Sequence, residues 1–192
     1  MCISKRFAIS AALVATLGAC ATPAQQSSTP GPALGRAATA DELRSMAISI
    51  PPSGAGLPAG SGSVEQGGKL YAEKCAACHG AKGEGKPADR LVGGQGTLKA
   101  ENPVKTIGSF WPCATTVFDY VYRAMPYTAP QSLSASETYA LTAYLLHMNG
   151  ILGAEATLDA ASLPKIRMPN REGFVGDGRP DTANVPCRIE CN

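Results

Sequence analysis

Apolar positions recur at helical spacing in three stretches of the chain and thin out between them. Val64, Gly67, Leu70, Tyr71 and Lys74 share one face, and Ser63 with Gln66 has capping-box spacing, so a helix is expected from about 64 to 75. Gly67 on that face would let another helix approach closely. A second helix is expected over 114–124, with Pro112 near its start and Pro126 beyond its end. The clearest pattern covers 135–148: Ser134 and Glu137 form a capping box, and Asn149-Gly150 supplies the stop. Its buried stripe would be Ala140, Leu141, Tyr144, Leu145 and Met148. Residues 80–110 are rich in glycine with little periodicity, and the chain beyond 150 is punctuated by Pro164, Pro169, Pro180 and Pro186, so both read as loop. Ile48-Ser49-Ile50 reads as a short extended piece before the turns at Pro51-Pro52. The pattern is that of an all-α domain with long irregular extensions at both ends.

The N-terminus carries a different signal. Lys5 and Arg6 precede a short apolar run, Phe7 to Leu17, which has the form of an export signal and is too short to span a bilayer stably. The run ends in Leu17-Gly18-Ala19-Cys20, which resembles the lipobox of bacterial lipoproteins. That resemblance implies cleavage before Cys20 and a lipid on its thiol. The plainer alternative is an ordinary signal peptide cut near Ala19 or Ala21. Residues 21–40, rich in Ala, Thr, Pro, Ser and Gln, read as a flexible tether. The expected organisation is a signal at 1–19, a tether at 20–45, a domain at 46–150, and an extension at 151–192 packed on the domain or on a partner. The expected location is the periplasm, an oxidising compartment, on a membrane surface. With Lys5 and Arg6 set aside, the 17 basic and 15 acidic residues come into balance, which gives nucleic acid no purchase.

Cys75-Ala76-Ala77-Cys78-His79 is a C-x-x-C-H haem-attachment pattern. Two thiols separated by two residues reach the two vinyl groups of one porphyrin edge, and the adjacent histidine reaches the iron. A thioredoxin-like pair would need a βαβ context, which the pattern lacks. A zinc site would need further ligands, and the only other histidine, His147, is distant in sequence. One covalent haem c is therefore expected on Cys75 and Cys78, with His79 as an axial ligand. The sixth ligand is assigned to Met125, at the end of the second helix and followed by Pro126. Met168 is the rival, Met46, Met148 and His147 being the other candidates. Of the seven cysteines, Cys113, Cys187 and Cys191 are left over as an odd set. Cys187 with Cys191, the nearest pair in sequence, is the disulfide candidate, and Cys113 is expected as a buried free thiol. A bridge from Cys113 to the tail is the competing assignment.

A helix, C-x-x-C-H, a loop, a methionine and a closing helix in that order resemble the class I cytochromes c over roughly residues 63–149. A narrower resemblance rests on Ile50-Pro51-Pro52-Ser53-Gly54-Ala55-Gly56-Leu57-Pro58, Lys105-Thr106-Ile107-Gly108-Ser109-Phe110-Trp111-Pro112, Phe118-Asp119-Tyr120, Arg123-Ala124-Met125-Pro126, Ala129-Pro130-Gln131-Ser132-Leu133 and Met168-Pro169-Asn170-Arg171. Together with Cys187 and Cys191 these strings are similar to the cytochrome subunit of the bacterial sulfane dehydrogenase of the sulfur-oxidation (Sox) system, over about 45–191. The resemblance implies haem ligation by His79 and Met125. It also implies two partners: a molybdenum-cofactor dehydrogenase subunit oxidising sulfane sulfur or sulfite, which donates electrons, and a soluble cytochrome c, which accepts them. Two features depart from the family. Its best-known members carry a second haem domain, whereas this chain has one C-x-x-C-H, and the apparent lipobox adds a membrane anchor.

The function expected is electron transfer without catalysis, since His and Met on both faces of the iron leave no open position. The alternatives are a haem sensor or enzyme with a displaceable sixth ligand, and a carrier serving a different dehydrogenase. For Trp111 and Arg123 the choice lies between hydrogen bonds to a haem propionate and ordinary packing.

Overall fold

The computed structural model describes residues 35–175. The signal segment, Cys20 and the Cys187–Cys191 pair lie outside the described residues. Residues 40–46, expected as the end of the tether, form a short helix α1 (Ala40–Met46) with Asp41 and Glu42 in its first turn. It exposes Leu43 and Met46, the latter at 82%.

The second helix, α2 (Val64–Lys74), starts where the capping box predicts: Gln66 N–H donates to Ser63 Oγ at 3.2 Å, and Ser63 N–H donates back to Gln66 Oε1 at 2.9 Å. It ends one residue short of the expected boundary, because Cys75 leaves helical geometry and caps it. A single turn, α3 (Ala76–His79), comes next and contains the rest of the attachment motif. After the loop come α4 (Ala114–Ala124) and α5 (Ala135–Met148), at their expected bounds. Ser134 and Glu137 close the α5 capping box.

The architecture is mostly helical, with one small sheet that the pattern did not predict. Strand β1 (Ser61–Ser63) pairs antiparallel with β2 (Thr157–Asp159), Gly62 standing opposite Leu158. The pairing brings the segment after α5 back to the start of α2, and Leu158 is buried beneath it. Leu163, in a 3-10 turn (Leu163–Lys165), and Met168 are buried in the same core.

Helices α2 and α5 cross at the smallest side chains. A Cβ on Gly67 would fall inside the backbone carbonyl of Ala140 and lie 2.7 Å from Tyr144 Cβ. A Cβ on Gly62 would collide with the Ala140 backbone from the adjoining strand. The glycines are thus required by proximity, and they permit backbone contact that any other residue would prop open.

The single apolar stripe expected for α5 is too narrow. Thr138, Tyr139, Ala140, Leu141, Thr142, Ala143, Leu145 and Leu146 are all buried, spread around the helix. The physical reason is its position: α2, α4 and the small sheet all pack on it. The two buried threonines are compatible because their hydroxyls donate one turn back, Thr138 to Ser134 O and Thr142 to Thr138 O. Phe118 of α4 and Tyr139 of α5 meet with ring centroids 4.5 Å apart, both fully buried.

Ile48-Ser49-Ile50 forms no strand. Ile50 is nevertheless buried, and the segment around it runs as a strap along α4. Ile50 N–H donates to Asp119 Oδ1 at 2.6 Å, and Thr115 Oγ1 donates to Pro52 O at 2.7 Å. Further on, Tyr139 O–H donates to Pro58 O at 2.9 Å.

Candidate haem site

The attachment motif is held from three directions. Within it, His79 N–H donates to Cys75 O at 3.0 Å, so the motif is itself a helical turn. From α2, the buried Tyr71 hydroxyl donates to Gly80 O at 2.8 Å. From the loop beyond the motif, Gly85 N–H donates to His79 O and Ala88 N–H to Cys78 O. Gly80 has φ +83°, a conformation in which the chain turns sharply out of the motif.

His79 Nδ1 lies 2.8 Å from Asp89 O. A carbonyl only accepts, so Nδ1 carries the proton and Nε2 holds the free lone pair. That arrangement fixes both the tautomer and the ring plane, and it is the one an iron ligand needs.

The two cysteines are free, Cys78 exposed and Cys75 half-buried. Burial pushes the Cys75 thiol up to about 11, Cys78 adding to the shift and Lys74 opposing it. A thiol of that kind is protonated at neutral pH, which does not suit a thiolate redox pair. No group of three or more His, Cys, Asp or Glu side chains among the described residues converges as a bare metal site. Burial also raises Tyr71 to about 12, with Cys75 and Glu84 contributing, so its hydroxyl stays a donor.

Met125 caps the C-terminus of α4, its N–H donating to Val121 O at 3.1 Å. Like Cys75, Ala76, Leu91, Trp111 and Tyr122, it packs partly on the core and leaves the rest of its surface uncovered. A donor set of two thiols, one imidazole with Nε2 free and one half-covered thioether, with partly uncovered apolar side chains, fits a covalently bound haem. The other candidate ligands have surroundings of their own, Met148 being half-buried against the core like Met125. Met168 is 2% exposed and belongs to the core, while Met46 projects from α1. His147 spends Nδ1 on Leu152 O at 3.0 Å.

Arg123 pairs with a carboxylate of its own helix. Its guanidinium forks onto Asp119, Nε to Oδ1 at 2.8 Å and NH2 to Oδ2 at 2.5 Å. Trp111 packs edge-on against Tyr120 at 5.9 Å. Cys113, expected as a free thiol, is disulfide-bonded.

Two residues whose tertiary partners the sequence did not reveal organise the surroundings. Asn149 donates through Nδ2 to Leu91 O and Leu145 O, and its Oδ1 accepts from Gly93 N–H. Asp119, 8% exposed, joins the strap to Arg123. The Asp-to-Arg spacing of four was a readable signal. The strap's part in it was not.

A C-x-x-C-H turn, its oriented histidine and a helical frame closed by α2 and α5 define a c-type cytochrome, a carrier of electrons on covalently bound haem c. The chain belongs to the cytochrome c family: the family model for cytochrome c matches residues 64–149. A chain of the sulfane dehydrogenase SoxCD from Paracoccus pantotrophus is similar over most of the length. The identity is 42%, covering 83% of this chain and 82% of that one, with a TM-score of 0.72. Thiosulfate dehydrogenase TsdBA from Marichromatium purpuratum matches at 27% identity over 44% of this chain and 17% of that one, with a TM-score of 0.33. Cytochrome cL from Hyphomicrobium denitrificans matches at 19% identity over 62% of this chain and 63% of that one, with a TM-score of 0.32. A comparison with curated proteins gives no match.

Proposed function

We propose that this cytochrome is the non-catalytic electron-transfer subunit of a periplasmic sulfur-compound dehydrogenase. It takes electrons from a molybdenum-cofactor subunit that oxidises sulfane sulfur or sulfite, and passes them to a second cytochrome c. The observation that carries this reading is the 42% identity to the SoxCD chain over 83% of this one, well beyond the cytochrome core of residues 64–149. Cys20, as a lipidated cysteine, would tether the subunit to a membrane surface.

Haem c, when bound, supplies a one-electron couple. The chain's own residues set its environment. Cys75 and Cys78 would hold the group by two thioether bonds, and His79 would offer Nε2 because Asp89 O keeps the proton on Nδ1. Met125 would offer its thioether as the other iron ligand, which would favour the ferrous state relative to a second imidazole.

Two measurements test the reading. Met125→Ala is expected to abolish the weak near-infrared band of iron–thioether ligation in the ferric protein; persistence of the band would remove Met125 as the ligand. Mixing the oxidised cytochrome with a molybdenum-cofactor sulfane or sulfite dehydrogenase and its substrate should reduce the haem rapidly. Absence of reduction with each such enzyme would remove the assignment of partner. Rapid, complete carbon monoxide binding to the reduced parent protein would instead favour a sensor or enzyme with a displaceable sixth ligand.

A further inference from the structure

The buried carboxylate of Asp119 stands where the strap meets α4. It is on the inner face of α4, one turn before Arg123, and it accepts from the backbone of the strap at Ile50. Both oxygens are used: Oδ1 by Ile50 N–H and Arg123 Nε, Oδ2 by Arg123 NH2. A charge this deeply covered is tolerable only while those donors stay in place, so the arrangement holds its own geometry. The bidentate fork requires α4 to remain helical through Arg123, because only helical spacing brings residues four apart onto one face.

Met125 is the next residue but one. The segment C-terminal to it has little anchorage. Residues 127–132 are all exposed, and their backbone hydrogen bonds are local turns, Ala129 N–H to Pro126 O and Ser132 N–H to Ala129 O. The chain is pinned again only at the buried Leu133. The position of Met125 is thus set from upstream, by the last turn of α4, and that turn is tied to the strap through Asp119.

We infer that Asp119 is a positioning residue for the sixth haem ligand: by clamping Arg123 and the Ile50 backbone together, it holds the end of α4 where the Met125 thioether stays on the iron. The inference rests on the reading of Met125 as that ligand. Thr115 provides the internal control. It fastens the same strap to the same helix one turn earlier, through Pro52 O, but has no link to the last turn.

The test uses holoprotein carrying Asp119→Asn, Arg123→Gln, Thr115→Val or Met125→Ala. In each, the near-infrared thioether band and the far-UV helical signal are followed through one denaturant titration, and carbon monoxide binding to the reduced protein is timed. For Asp119→Asn and Arg123→Gln the band should vanish well before the helices unfold. Carbon monoxide should bind about tenfold faster than to the parent, as expected if the ligand's open state gains about tenfold in population. For Thr115→Val, band and helix should be lost together, with carbon monoxide kinetics unchanged. Arg123→Gln keeps the test open should Asp119→Asn fail to mature, since the Arg123 side chain is 37% exposed. Loss of band and helix together in both Asp119→Asn and Arg123→Gln, with parental carbon monoxide kinetics, would overturn the inference while leaving Met125 as ligand. A band that survives in Met125→Ala would overturn the ligand reading and the inference with it.

Discussion

The crossing of α2 and α5 and the loop from Gly80 to Cys113 both support the attachment motif, by different physical means. The crossing is a backbone contact between two regular helices, made possible by Gly67 against Ala140 and filled beside it by the Tyr71–Tyr144 ring pair, 5.4 Å apart. The loop has almost no regular structure, and single polar side chains hold its backbone. Thr97 Oγ1 accepts from Val104 N–H. Thr106 Oγ1 donates to Gly93 O and accepts from Gly108 N–H and Ser109 N–H, and Ser109 Oγ donates to Val104 O. Asn149, at the end of α5, ties that loop to the helix pair. Order in the crossing is collective and apolar. Order in the loop is itemised, one hydrogen bond at a time.

If that distinction is right, the largest loss should come from a single methyl group at the crossing. Gly67→Ala puts Cβ into the Ala140 carbonyl, where rigid backbone meets it and no flexible side chain yields. The helices must separate, at a cost of about 3 kcal/mol. Thermal unfolding of the holoprotein by far-UV circular dichroism should show a fall of roughly 10 °C. A fall within experimental scatter would mean that the helix pair is looser than its geometry.

Asn149→Ala should cost less and act elsewhere. It removes two donors and one acceptor and strands Leu91 O and Gly93 N–H, for about 2 kcal/mol. The discriminating readout is amide hydrogen exchange. Protection at Gly93 should fall while amides within α2 and α5 keep theirs. Uniform loss across both regions would erase the distinction and make the loop part of one cooperative unit with the crossing.

The same difference decides what could be read from sequence. The three long helices were legible because caps and periodicity are local signals, and the attachment pentapeptide was legible because its covalent chemistry demands adjacency. Gly67 was legible as a gap on a helical face. The carbonyl of Asp89 was not, since a backbone acceptor leaves no mark on residue identity. Nor was the sheet: Ser61-Gly62-Ser63 has no strand character, and it pairs only because Gly62 lets it lie on Ala140 while the returning chain supplies Leu158. The all-round burial of α5 escaped because a stripe shows which face is most apolar, and says nothing of how many neighbours pack on the helix. Cys113 escaped because an odd set of three cysteines admits several pairings, and nearness in sequence is a weak guide among them. Asp119 was visible as a residue and invisible as a junction, its second partner being the backbone of Ile50, 69 positions away.

The smallest expected effect probes whether electrostatics contributes to the crossing at all. Glu137 at the start of α5 accepts from Ser134 N–H and its hydroxyl, and lies 3.4 Å from Lys74 at the end of α2. The Ser134 backbone bond, then the Ser134 hydroxyl, then Lys74 hold its carboxyl below the usual glutamate value of 4.5. A depressed folded value means that the unfolded chain binds the proton more readily. The stabilisation is therefore fully present above the unfolded value and is lost as pH falls through the lower folded one. Glu137→Gln keeps the capping geometry, since glutamine also serves at that position, and removes only the charge. At neutral pH it should cost about 0.5 kcal/mol, the scale of a partly exposed pair beside a helix N-terminus. On acidification the gap between variant and parent should close, and it should vanish once Glu137 is protonated in both states. Chemical denaturation of the holoprotein at neutral pH and at pH values below the usual glutamate value measures that closure directly. A gap that stays constant would assign the whole loss to packing, leaving the crossing as an apolar contact to which the Lys74–Glu137 pair adds no measurable stability.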